Sequence, residues 1–153
     1  NLHDSKELLR TCLELDDSDA HSWLALARIE GTAGSLRAAR DAVDAGLQRC
    51  PGNVHLMHAG AVFEHRAGDV EAARRRFAEA LEASPGNAYV VHSWGLLEQQ
   101  AGNIDEARRL YRESVEGKPQ AAICSAWAAL EAMQGNADTA RALHRQAGEL
   151  CSP

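Results

Sequence analysis

Four columns of residues recur along this chain in one register, and they constrain its fold more than any other feature. Glu30, Glu64, Glu98 and Glu131 stand 34, 34 and 33 residues apart. Gly34, Gly68, Gly102 and Gly135 keep the same steps, and so do the pairs Ala39-Arg40, Ala73-Arg74, Ala107-Arg108 and Ala140-Arg141. Pro51, Pro85, Pro119 and Pro153 recur every 34 residues. A period of this length belongs to helix–turn–helix units, which bury their apolar faces only by stacking on their neighbours.

Each unit reads as two helices. Trp23, Leu26, Ala27 and Glu30 fall at i, i+3, i+4 and i+7, on one helical face. Ala39, Val43 and Gly46 stripe the second helix, and the next unit repeats them as Ala73, Phe77 and Ala80. The recurrent glycine supplies a left-handed stop, and Ser35, Asp69, Asn103 or Asn136 follows it as an N-cap. Glu106, three residues after Asn103, is expected to complete a capping box. Pro51-Gly52-Asn53 and Pro85-Gly86-Asn87 end one unit and cap the next.

The spacing predicts helices over 20–33, 37–49, 54–67, 71–83, 88–101, 105–117, 121–134 and 138–150. Residues 3–15 read as the second helix of an earlier unit that lacks its first helix. The expected organisation is a single array over 1–153, with a half repeat at 1–17 and repeats at 18–51, 52–85, 86–119 and 120–153. The fold class is all-α, a right-handed superhelical solenoid of antiparallel helix pairs. Neither end carries an obviously polar capping helix, and the chain opens at Asn1, so a segment of a longer array is expected.

Composition sets the remaining bounds. Of 153 residues, 45% are hydrophobic and 25% charged, which is ordinary for a soluble globular protein and far from disorder. No apolar run approaches the ~20 residues that span a bilayer. Cys12, Cys50, Cys124 and Cys151 lie far apart, without CxxC or zinc spacing, so a reducing intracellular compartment is expected rather than disulfides or metal. A net charge of −6 argues against indiscriminate nucleic-acid binding, which needs an excess of Lys and Arg at the contact. No nucleophile elbow, Gly-rich phosphate loop or metal cluster is present, so neither enzyme activity nor a cofactor is expected.

The tetratricopeptide pattern runs W-x2-L-G-x2-Y, then A-x3-F, then P. Here it stands as Trp23-x2-Leu26-Ala27-x2-Glu30, Ala39-x3-Val43 and Pro51. Glutamate replaces the tyrosine in every unit, and arginine follows the alanine in every unit. That pair of changes resembles the half-a-TPR (HAT) repeats, whose members belong to RNA-processing complexes. The phrases WGLLEQQAGNIDEARRLYRES and WAALEAMQGNADTAR are similar to the plant and algal chloroplast factors that stabilise and process photosystem transcripts. The resemblance implies single-stranded RNA as partner and the chloroplast stroma as location, with the nucleus as the other compartment. The first-helix tryptophan departs from the pattern: it stands at Trp94 and Trp127, three positions later than Trp23, and the second unit has Met57 and Gly60 instead.

A carboxylate on the packing stripe is expensive unless paired. Arg40 lies ten residues after Glu30, past the turn, and the two can meet within a repeat or across to the next one. Arginine suits the task because its planar fork binds a carboxylate bidentately and stays charged. Glu30, Arg40, Glu64, Arg74, Glu98, Arg108, Glu131 and Arg141 are therefore expected to form interhelix ion pairs, since a catalytic site is not tiled four times. Of Arg74-Arg75-Arg76, the last two are expected on the solvent side.

In helix–turn–helix solenoids the first helices line the concave face. The positions flanking the packing stripe are then His21, Leu24 and Arg28; His55, His58, Val62, His65 and Arg66; Tyr89, His92, Leu96 and Gln99; and Ala122, Ser125 and Ala129. His and Tyr rings can stack on bases, with Arg28, Arg66 and Gln99 as hydrogen-bond donors, which suits single-stranded RNA. A metal held by His55, His58 and His92, or a plain solvated face, are the other readings of these residues. Two functions stand open: a non-catalytic RNA-binding segment of a transcript-processing factor, or a protein–protein scaffold in such a complex, self-associating through its open ends.

Overall fold

The computed structural model describes residues 1–153 as nine helices and no strands. They are α1 Leu2–Leu15, α2 Ala20–Thr32, α3 Leu36–Arg49, α4 Val54–Arg66, α5 Val70–Ala83, α6 Ala88–Gln100, α7 Ile104–Gly117, α8 Ala121–Met133 and α9 Ala137–Cys151. The fold is an all-α repeat solenoid. The helices coincide with the expected ones to within about two residues at each end; the second helices start one residue early because the capping residue itself closes their first turn.

The turn between paired helices explains the fixed spacing of Glu and Gly. The backbone N–H of Ser35, Asp69, Asn103 and Asn136 donates to the carbonyl of Glu30, Glu64, Glu98 and Glu131 at 2.8–3.0 Å. This six-to-one bond closes a Schellman motif, which needs a left-handed residue just before its donor. Gly34, Gly68, Gly102 and Gly135 occupy that place with φ of +81 to +92°. The column glutamate is thus fixed one turn from where the chain reverses. Ser35 and Asp69 then cap the following helix through their side chains, accepting from Ala38 and Ala72.

The helices group into two compact units, Asn1–Ser84 and Pro85–Pro153. In the first, Leu24, Leu26, Ala27, Ala39, Val43, Leu56, Ala59 and Phe63 form a core closed at one side by Leu13 of α1. In the second, Val90, Val91, Leu97, Leu110, Tyr111, Ile123, Ala128, Leu130 and Leu143 are buried. The positions 16 residues apart on paired helices are Ala27 and Val43, Ala61 and Phe77, and Gly95 and Tyr111, all buried. A Cβ at Gly95 would lie 2.4 Å from the Tyr111 hydroxyl, so the larger ring requires the glycine.

Candidate interaction surface

Arg40 and Arg108 meet the column glutamate of the following repeat, not that of their own. Arg40 Nη1 on α3 donates to Glu64 Oε2 on α4 at 3.0 Å. Arg108 on α7 forks onto Glu131 on α8, with Nε to Oε1 at 2.7 Å and Nη2 to Oε2 at 3.1 Å. Glu30 takes its cation from α1, where Lys6 Nζ donates at 2.9 Å; Lys6 stands 34 residues before Arg40 and continues the column. Arg141 departs from the expectation. It is exposed and pairs with Asp138 of its own helix, so it braces nothing across helices.

Two versions of this brace exist. In the second unit the displaced tryptophans donate to the glutamate one turn on: Trp94 Nε1 to Glu98 at 3.0 Å, and Trp127 Nε1 to Glu131 at 3.1 Å. Asn103 and Asn136 complete the set by donating their amides to Glu98 and Glu131. The capping box expected at Asn103 is therefore not formed: its side chain makes no cap bond, and Glu106 holds Arg109 instead. In the first unit a second cation replaces the indole. Arg76 packs over Gly60, at the column position Trp94 holds, and reaches Asp44 at 2.7 Å and Glu64 at 3.5 Å. Arg76 was expected in solvent and is instead part of the brace. The charge set holds Glu131 down to about 2, chiefly through the Arg108 hydrogen bond.

The flanking positions of the first helices divide into engaged and exposed residues. Gln99, expected as a donor for a ligand, gives its Nε2 to the Tyr111 hydroxyl at 3.0 Å. Burial pushes that hydroxyl up to about 12. Arg66 is held likewise: Nη2 donates to the Gly31 carbonyl at 3.3 Å and the guanidinium lies over the Phe63 ring. Leu24 is only 8% exposed and belongs to the core. His58 is half-buried with its ring 6.3 Å from that of Phe77, and His65 is half-buried too.

What remains exposed gathers in two places, one in each unit. In the first unit, α2 and α4 bound a groove of about 260 Å³ lined by Ala20, His21, Leu24, Arg28, Asn53 and His55. In the second, Tyr89 (73% exposed), His92 and Leu96 (39%) lie at i, i+3 and i+7 along α6. The matching positions of α8, Ala122, Ser125 and Ala129, are exposed and short. A tall, largely apolar ledge therefore runs in register with a low one. Asn53 was missed at the sequence level because it reads as a cap; it does cap α4, accepting from Leu56 N–H, and also lines the groove.

Residues 64–133 match the tetratricopeptide repeat family model. Similar folds occur among solved structures, TPR proteins among them. PilF of Pseudomonas aeruginosa has a TM-score of 0.78 at 22% identity, covering all of this chain and 70% of that one. A thermophilic TPR protein of Thermus thermophilus gives 0.74 at 21% identity over 95% of this chain and 81% of its own. YrrB, described as a TPR protein with an unusual peptide-binding site, gives 0.65 at 18% identity over 98% and 78%. Among curated proteins nothing matches. These likenesses carry the tetratricopeptide fold.

Proposed function

We propose that this chain is a non-catalytic interaction scaffold that binds a protein partner along the exposed faces of its first helices. The observation that carries the reading is the α6 ledge, where Tyr89 and Leu96 hold large apolar surface in water beside the short side chains of α8. Neither residue belongs to a repeating column, so packing does not explain them. Cations are scarce there: neither α6 nor α8 carries a Lys or Arg, and the net charge is −6. Phosphate contacts need several unengaged Lys or Arg side chains, so a protein segment fits this surface better than an RNA strand. YrrB, with its described peptide-binding site, supplies a similar fold on which such binding occurs. The HAT-like Glu and Arg columns support an RNA-processing complex as the setting, with the RNA carried by the partner.

The test is an array of 12-residue peptides, acetylated and amidated, alongside 12-nucleotide single-stranded RNA, read against the whole chain. Peptide binding that falls about tenfold or more in Tyr89→Ala/Leu96→Ala is the expected outcome. RNA bound well below ~10⁻⁴ M at physiological salt, with no peptide bound, would contradict the reading.

A further inference from the structure

The α2–α4 groove carries a chemistry the repeat does not need. Its polar lining residues are Arg28, His21, His55 and Asn53, beside Ala20 and Leu24. The Asn53 oxygen is engaged by Leu56 N–H, which leaves the amide nitrogen as its donor. No carboxylate lines the space. The acid beside His21 is Asp19, the N-cap of α2, whose oxygens are held by His21 N–H and the Ser22 hydroxyl. Arg40 and Arg76 of this unit each meet an acid and Arg66 is tied to the Gly31 carbonyl, whereas Arg28 makes no ion pair in a chain where Asp and Glu outnumber Lys and Arg by 22 to 16.

We infer that this groove receives the carboxylate side chain of an Asp or Glu on a protein segment bound at α2 and α4. The inference rests on the proposed function and adds its specificity. An apolar side chain placed there would strip water from several donors and leave them unpaired, which costs more than the contact returns. A carboxylate has two oxygens for the Arg28 fork, and the imidazoles and the Asn53 amide surround the remaining lone pairs. A space of about 260 Å³ admits one such side chain, and a single unpaired arginine at the groove suits one charge rather than a phosphate chain.

The test uses the peptides that bind the whole chain in the capped array, which present no terminal carboxylate. Each Asp or Glu is exchanged for its amide and read against the wild type and Arg28→Ala, with melting temperature as the check that the variant is folded. The wild type is expected to lose about tenfold for one Glu→Gln or Asp→Asn exchange, and Arg28→Ala is expected to be indifferent to it. His55→Ala should weaken the acidic peptides selectively. Peptides that depend on Tyr89 and Leu96 but ignore both the amide exchange and Arg28→Ala would overturn the groove and leave the scaffold standing. Failure of every peptide to bind would overturn both.

Discussion

Ser114 is the one buried side chain whose hydroxyl finds no hydrogen-bond partner. Its column holds Gly46, Ala80 and Ala147 elsewhere, so nothing in the repeat asks for a hydroxyl there. Ser114→Ala should stabilise the chain by about 1 kcal/mol, read as a higher denaturation midpoint at unchanged slope. Glu131 is the opposite case, a buried carboxylate with four donor groups around it. Its folded-state value near 2 lies below its ordinary 4.5, so its stabilisation is complete above about 4.5 and is lost as the pH falls towards 2. Glu131→Gln should cost about 2–3 kcal/mol at pH 7 and converge with the wild type near pH 2 in urea melts. Glu113, which pairs with Arg109 of its own helix in solvent, should on replacement by Gln give a difference of a few tenths of a kcal/mol at either pH.

At the scale of helix pairs, the α6–α7 packing turns on Gly95 leaving room for the Tyr111 ring. Gly95→Ala must push the Tyr111 ring aside and should cost about 2 kcal/mol. Adding Tyr111→Val, which restores the Ala–Val pairing of the first complete repeat, should recover most of the loss in a double-mutant cycle. An additive double mutant would show that the two positions do not pack as described. The sequence periodicity located these stripes and every helix, because a buried face imposes its spacing on whatever residues fill it. It did not locate the reach of long side chains. Arg76 turned inward because Gly60 left room. Gln99 turned to Tyr111, and Asn103 turned back to Glu98 instead of capping forward. Each choice depends on the size of a neighbour more than ten residues away or on a turn geometry, which a helical period does not record. The displaced tryptophan had a readable signal, standing four residues before the column glutamate, within one turn's hydrogen-bonding reach.

For the whole molecule, residues divide by whether they repeat. The columns of Glu and Gly are accounted for by turns and braces, and Arg40 and Arg108 of the Ala-Arg column by the same braces. The residues outside any column, Tyr89, Leu96, His55 and Arg28, are the ones packing leaves over, and the interaction reading rests on them. The sequence named most of this surface but could not separate engaged from available groups within it. Arg66 and Gln99 belong to the first kind and Arg28 to the second. The most direct test of this division measures melting temperature and peptide affinity together for Arg108→Ala and for Tyr89→Ala. Loss of the brace should lower the melting temperature by about 5 °C with peptide affinity unchanged, and loss of the ledge residue should weaken peptide binding with melting unchanged. The reverse pattern, Arg108→Ala abolishing binding at full stability, would contradict the account.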